Sequence, residues 1–119
     1  MNKLVDIENN FITREISNVL KTYNSNKIKI RLLDGSYHTQ SIGSEVLILT
    51  VYCNMSELGK ALIDEAYIID KPLKIYWYDK FYIGLIEDEP KWEVFVKGNN
   101  NKRMYFAEFN IVVDEEGSA

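Results

Sequence analysis

The sequence contains few of the residues that enzyme and metal sites use. Its 119 residues include one histidine, His38, and one cysteine, Cys53. These two are too few for a zinc site, and a single cysteine forms no intramolecular disulfide. Cys53 follows apolar, strand-forming residues, whose surroundings leave a thiol unreactive. His38 lies in a polar run, where a histidine is usually solvated. We therefore expect no catalytic residue, no bound metal and no cofactor.

Proline, basic residues and long apolar runs are also scarce. Two prolines exclude a proline-rich linker, and no apolar run approaches the roughly 18 residues of a membrane-spanning helix. The N-terminal residues lack the apolar stretch of a signal peptide, so we expect none. The chain has 14 basic and 18 acidic residues, a net charge of −4, whereas duplex-binding proteins usually carry a basic excess. We expect neither a membrane nor a specific nucleic acid as a partner.

The composition is otherwise that of a globular protein. Hydrophobic residues make up 46% and charged residues 27% of the chain, which excludes wholesale disorder. A chain of 119 residues suits one compact domain, so we predict a single domain over 1–119. We divide it into an N-terminal arm or helix over 1–26, a β-rich core over 27–113 and a flexible acidic tail over 114–119.

The N-terminal segment has the apolar spacing of a helix. Ile12, Ile16, Val19, Leu20 and Tyr23 fall within about 100° on a helical wheel, the width of an amphipathic stripe. Its β-branched residues lower helix propensity, which leaves an irregular strand and loop as the alternative.

The first half of the core predicts strands followed by one helix. Residues 27–32 alternate strictly, and residues 45–53 are almost continuously apolar, which is typical of a central strand. A helix is predicted over 55–69, with Asn54 as its cap and Glu57 in capping-box position. Its residues recur at three- and four-residue steps: Leu58, Ala61, Leu62, Glu65, Ala66 and Ile69.

The second half of the core predicts strands only. Two aromatic-rich runs, 73–78 and 81–86, flank Asp79-Lys80 and indicate a hairpin, in which Gly84 marks a bulge or a close backbone approach. Residues 92–96 alternate, and residues 104–113 form a closing strand. We therefore predict an α+β fold: a mainly antiparallel, sandwich- or barrel-like β-sheet with one packed central helix and a further helix at the N-terminus.

The aromatic hairpin is the surface most suited to binding. Aromatic rings on a sheet form core contacts more often than they bind sugar or single-stranded nucleic acid. Because side chains alternate along a strand, some of these rings point outward, as a subunit interface requires. The predicted interface comprises the hairpin aromatics and the polar turn that follows: Tyr76, Tyr78, Phe81, Tyr82, Gly98, Asn99, Asn100, Asn101 and Lys102.

The order of these elements resembles a known viral family. Lys71-Pro72-Leu73 leads into a strand, Phe81-Tyr82-Ile83-Gly84 forms the next strand, and the pattern covers residues 34–113. In this order the chain resembles the N-terminal domain of the distal tail proteins of siphophages, the long-tailed bacteriophages.

The resemblance implies a non-enzymatic structural protein of the virion tail, assembled in the host cytoplasm into a hexameric ring. Its partners would be copies of itself, the tail tube and the tip or baseplate hub. Tail tube and tail terminator proteins have related folds, so both roles stay open. The alternative function is a small phage or bacterial protein-binding module, either an adaptor or an inhibitor of a host protein. An enzyme is the third and least expected class.

Overall fold

A computed structural model gives the fold and describes residues 2–24, 29–31, 37–39, 46–97 and 102–118. The described residues form ten strands and one helix. In chain order these are β1 Lys3–Asp6, β2 Phe11–Thr13, β3 Ile16–Asn24, β4 Lys29–Arg31, β5 Tyr37–Thr39, β6 Val46–Met55, α1 Glu57–Ile68, β7 Leu73–Trp77, β8 Lys80–Ile86, β9 Lys91–Lys97 and β10 Lys102–Ser118.

Eight of the described strands form one antiparallel sheet. Their order is β2-β1-β7-β8-β10-β6-β3, with β9 also paired to β10. On one edge of β10, residues 102–108 pair with β9 and residues 111–118 pair with β8. The other edge pairs with β6 over residues 105–112, while β4 and β5 form a separate hairpin. The mainly antiparallel sheet that we predicted is confirmed.

The sheet curls into a half-barrel around its core. The ammonium nitrogen of Lys21 in β3 lies 5.2 Å from the ring centre of Tyr82 in β8, although β6 and β10 separate these strands. In a flat sheet, three strand spacings would keep the backbones of β3 and β8 about 14 Å apart. Helix α1 packs against β2, β6, β8 and β10. The largest fully buried side chains include Tyr82, Leu4, Leu49, Met55, Ile63, Leu73, Ile75 and Ile111.

The single helix of the core is confirmed, but the described fold is largely β rather than α+β, and the cap of the helix differs from our prediction. Ser56, not Asn54, is the N-cap, and its Oγ accepts a hydrogen bond from the Gly59 amide at 3.4 Å. The buried helix residues are Gly59, Ile63 and Ala66. A Cβ on Gly59 would lie 2.9 Å from the Met55 Cβ, so a small residue allows this close approach. In the described ranges, no helix is long and apolar enough to cross a membrane.

The predicted N-terminal helix over 1–26 is wrong, because the described part of this segment forms β1, β2 and β3. A two-residue break separates β2 from β3, and the β3–β6 pairing shifts register between Ile16 and Asn18. These irregularities place Ile12 and Val19 in the core and leave Ile16 partly buried against it. Inward residues therefore recur at steps of four and three, which is the spacing of a helix rather than of a regular strand.

The acidic end of the chain also differs from the flexible tail that we predicted over 114–119. Residues 114–118 continue β10, and residues 115–118 pair with residues 83 down to 80 of β8. Backbone pairing needs no apolar side chain, so an acidic sequence can still complete a sheet. Gly117 faces Phe81, whose ring atoms would lie 2.6 Å from an added Cβ.

The predicted hairpin is confirmed, with its turn one residue earlier than expected. β7 and β8 pair from Leu73↔Gly84 to Trp77↔Lys80, so the turn residues are Tyr78 and Asp79. Both features predicted for Gly84, a bulge and a close backbone approach, are present. Gly84 pairs with Val113 where the β8–β10 register shifts, and an added Cβ would overlap the carbonyl oxygen of Val112.

A buried carboxylate joins the β1–β2 turn to the end of the helix region. Asp6 is 2% exposed and accepts hydrogen bonds from the Glu8 and Asn10 amides and the Asn10 side chain. Lys71 Nζ lies 3.3 Å from Asp6 and 2.6 Å from Glu8. Burial alone would raise the pKa of Asp6, but the bonds from Asn10 and Lys71 outweigh it and lower the pKa.

Candidate assembly surfaces

The one cysteine of the sequence is fully buried in β6, and burial raises the pKa of the Cys53 thiol to about 12. The one histidine, His38, lies in β5, and its side chain is outside the described residues. Within the described ranges, no group of three or more His, Cys, Asp or Glu side chains comes together to hold a metal ion. Several apolar and charged surfaces of the described residues are exposed and are candidates for function.

The aromatic hairpin divides between the core and the surface. Tyr82 is 1% exposed and belongs to the core, so its predicted place on an outward interface is wrong. Tyr76 and Phe81 are half-buried, and Tyr78 is 66% exposed. Only Tyr78 is strongly exposed, so the outward aromatic surface is smaller than the sequence suggested.

Lysine side chains cover the half-buried rings of this hairpin. Tyr76 and Phe81 are cross-strand neighbours whose ring centres lie 6.4 Å apart. The Lys74 ammonium lies 4.9 Å from the Tyr76 ring centre and 4.6 Å from that of Phe81, and Lys3 lies 5.0 Å from Tyr76. These are cation–π contacts, which give the outer side of the hairpin a basic and aromatic character.

Tyr78 occupies an unusual backbone position for a large side chain. Its φ is 58°, at the first residue of a two-residue hairpin turn, where glycine is the common choice. Its amide donates to Asn2 Oδ1 at 2.7 Å, and its ring makes an edge contact with Trp77 at 4.8 Å. A bulky residue held there despite strain of roughly 1–3 kcal/mol is a typical sign of a functional position.

The polar turn that we predicted as an interface joins β9 to β10. Gly98, Asn99, Asn100 and Asn101 lie outside the described residues, and Lys102 is exposed. The strand before this turn is more informative, because Val94 is 61%, Phe95 37% and Val96 60% exposed. We call β9 with residues 102–108 the β9 arm. Near its tip the arm exposes apolar side chains on both faces, because alternation places Phe95 opposite to Val94 and Val96, whereas Met104 and Ala107 are buried.

The outward side of α1 is the second exposed apolar surface. Leu58 is 71%, Ile68 73% and Ile69 58% exposed, so these apolar residues face away from the sheet. At about 100° per residue, they lie within one stripe roughly 120° wide. We call this stripe the outer helix face, and it comprises Leu58, Ala61, Leu62, Glu65, Ile68 and Ile69.

An acidic cleft lies at the far end of β10. Asp114, Glu115 and Glu116 line it together with the apolar residues Tyr23, Val46, Leu47 and Val113. The three acidic residues are exposed, as a row of carboxylates at a surface usually is. This cleft therefore carries negative charge, and it lies beside the aromatic hairpin, because residues 115–118 pair with residues 83 down to 80 of β8.

Sequence reasoning missed the exposure of the outer helix face and of the β9 arm for different reasons. The helix stripe was visible as a periodic pattern, but periodicity alone does not say which side faces the sheet. The residues that mark the sheet-facing side are Gly59, Ile63 and Ala66. The glycine and the alanine are small enough to allow close packing on a sheet. The alternation of residues 92–96 was predicted. Among the described strands β9 pairs with β10 alone, and that pairing depends on residues that are distant in the sequence.

Comparisons with known proteins show a shared fold but no sequence family. No family model matches the chain, and no curated protein matches it. The whole chain does match solved structures. One is a chain of the virion of a native gene transfer agent particle, with a TM-score of 0.51 and 8% identity over 99% of this chain and 95% of that one.

A second match gives the same values in another assembly. It is a chain of the tail of an empty gene transfer agent particle described with helical refinement and C6 symmetry, again with a TM-score of 0.51, 8% identity and coverage of 99% and 95%. At this identity the likeness establishes the fold alone. The curled antiparallel sheet with one helix is thus a fold that chains of such particles also have.

Proposed function

We propose that this chain is a non-enzymatic structural subunit of a phage-like tail and that it assembles into a homo-oligomeric ring. The observation that carries this proposal is the fold match over 99% of this chain and 95% of a chain from a tail with C6 symmetry. A match over nearly the full length of both chains supports a common architecture rather than one shared motif. Sixfold symmetry in that tail supports a ring of six copies.

The exposed apolar surfaces support assembly independently of the match. Leu58, Ile68 and Val94 are each more than 60% exposed, and they lie on two separate elements. Larger contiguous apolar patches on a soluble protein usually mark an interaction surface. A closed ring of identical copies buries two different surfaces of each subunit, one against each neighbour. The outer helix face and the β9 arm are two different surfaces of this kind.

Within a tail, we propose the distal position, where a ring joins the tube to the tip or baseplate hub. The order of elements from residue 34 to residue 113, which resembles the distal tail family, supports this position. The tail tube is the alternative, supported by the helical description of the matched C6 tail. The two roles differ in whether the rings stack on themselves.

Light scattering after size-exclusion chromatography tests the ring. Six copies of a 13.9 kDa chain have a mass of about 83 kDa, which is the expected result. Electron microscopy of the same fraction distinguishes the two positions, since single rings favour the distal role and stacked tubes favour the tail tube. A 13.9 kDa monomer at every concentration would contradict the proposal. Recovery of one stoichiometric host protein by that monomer would support the binding-module alternative instead.

The aromatic hairpin remains a proposed part of the ring interface, now through Tyr78. We expect Tyr78→Asp to lower the fraction of ring, because it places a charge where a 66% exposed ring would be buried against a neighbour. The matched control is Ile7→Asp, which changes another exposed apolar side chain, 43% exposed, in the β1–β2 turn. Equal ring fractions for the two variants would remove the hairpin from the interface.

A further inference from the structure

The two exposed apolar surfaces carry opposite charge. From Lys91 to Glu108 the sequence has four basic residues and two acidic residues, a net charge of +2. From Ser56 to Asp70 it has four acidic residues and one basic residue, a net charge of −3. The β9 arm is therefore apolar and basic, and the outer helix face with its flanking residues is apolar and acidic. Such complementarity steers association and fixes which surfaces meet.

One subunit does not bring these two surfaces together. The base of the arm lies on another side of the helix, where Lys60 Nζ is 4.9 Å from the Trp92 ring centre and 5.7 Å from that of Tyr105. On a helical wheel, Lys60 is about 160° from Leu58, the middle of the outer helix face. Both valines of the arm also keep about three-fifths of their surface exposed. A second copy is the partner that can cover them.

We infer that the β9 arm of one copy docks on the outer helix face of the next copy around the ring. The inference rests on the proposed ring and specifies its contact. Because the two surfaces differ, the contact is heterologous and repeats from copy to copy until the ring closes. Val94 and Val96 would lie against Leu58 and Ile68, and the basic residues of the arm would lie near Glu57 and Glu65.

The decisive experiment mixes two variants that each lose one surface. The helix variant carries Leu58→Asp and Ile68→Asp, and the arm variant carries Val94→Glu and Val96→Glu. All four side chains are at least 60% exposed, so circular dichroism should report folded chains. Each variant alone is expected to be a monomer. Their mixture is expected to form a dimer of about 28 kDa, twice the 13.9 kDa chain, because one intact arm meets one intact helix face.

Conservative changes and charge reversals keep the test independent of folding. Val94→Thr with Val96→Thr preserves strand propensity and should weaken ring formation at least tenfold. Lys102→Glu with Arg103→Glu, and separately Glu57→Lys with Glu65→Lys, should each weaken it at least tenfold. All four reversals in one chain should restore it to within threefold. Glu89→Lys, a reversal in the loop before β9, is the control and should leave the ring unchanged.

The outcomes separate this contact from the ring itself. If the wild-type chain forms a ring and either double variant still forms one, the proposed contact is wrong and the proposed function stands. A mixture that stays monomeric would overturn the contact as well, because two intact complementary surfaces would then fail to pair. A helix-to-helix contact would show as a ring or dimer of the arm variant alone. A wild-type monomer would overturn the proposed function and this inference together.

Discussion

Replacing Gly84 with alanine tests the closest approach between two strands of the half-barrel. An added Cβ would overlap the carbonyl oxygen of Val112, and it would lie 2.8 Å from the Val112 carbonyl carbon and 2.7 Å from Ile111 Cγ2. Two of these three atoms belong to the backbone of β10, which pairs on both of its edges, so no side-chain rotation relieves the clash. β8 and β10 must therefore separate by about 1 Å at this point.

The cost follows from that displacement. Overpacking a core usually costs about 1–3 kcal/mol, and each lost ladder hydrogen bond adds roughly 1 kcal/mol. With one ladder hydrogen bond lost, we expect Gly84→Ala to lower the free energy of unfolding by about 2–4 kcal/mol. For a domain of this size, that loss corresponds to a Tm decrease on the order of 8–16 °C.

The assay is urea unfolding followed by circular dichroism. Parent and variant should both carry Leu58→Asp and Ile68→Asp, so that association does not add to the measured stability. Gly117→Ala is the control: its Cβ would meet the ring of Phe81 at 2.6 Å, but this half-buried ring can move, so we expect a loss of about 1 kcal/mol or less. If Gly84→Ala stays within about 0.5 kcal/mol of the parent, the close approach of β8 and β10 is refuted.

Three further substitutions test single features of the structure. Asp6→Asn should lower stability by about 2 kcal/mol at neutral pH, because the buried site loses its charge opposite Lys71. The pKa of Asp6 in the folded chain lies below its ordinary value of 3.8, so the stability that its carboxylate contributes is complete well above pH 3.8 and is lost as the pH falls through the folded pKa. The free energy of unfolding of Asp6→Asn, measured in urea, should therefore depend less on pH in that range than that of the parent. Tyr82→Phe should change stability by about 1 kcal/mol or less, since the buried hydroxyl makes no hydrogen bond of good geometry among the described residues and its remaining interaction is with the exposed Lys21 ammonium, whose pKa it raises; a larger loss would contradict this. Tyr78→Gly should raise the Tm of the assembly-blocked chain by relieving about 1 kcal/mol of strain at φ 58°, and a lower Tm would show that its contact with Trp77 outweighs the strain.

Local pattern predicted the regular half of the fold well. The strand β6, the hairpin of β7 and β8 and the position of α1 follow from continuous apolar runs, alternation and turn signals. In the hairpin even the role of Gly84 was indicated, because a glycine inside a strand usually marks a bulge or a close contact. These features depend on neighbours in sequence, which a single chain displays.

Features that depend on distant pairing were not predictable in the same way. The shift between Ile16 and Asn18 in β3 gave the N-terminal strands a helical spacing. The residues after Val113 appeared to be a tail, because their strand is held by backbone pairing with β8 and not by apolar side chains. Tyr82 was placed outward with its neighbours, whereas the curl of the sheet encloses it.

For the proposed interface, the sequence indicated the aromatic hairpin but not which of its rings are exposed. Phe81 and Tyr76 are partly covered by lysines, and Tyr78 alone extends into solvent. The three- and four-residue spacing that predicted the helix included both the exposed Leu58 and the buried Ala66, so it did not distinguish the two sides of the helix. Which side of a helix meets a sheet depends on the shape available there, and in this case a glycine and an alanine permit the closer contact.

The number of copies in the purified wild-type assembly tests the proposed ring most directly, and native mass spectrometry measures it. We expect a closed species of six copies, about 83 kDa from a 13.9 kDa chain, that dissociates when Leu58 and Ile68 are both replaced by aspartate. A spectrum containing only the single chain at high protein concentration would contradict the proposed ring.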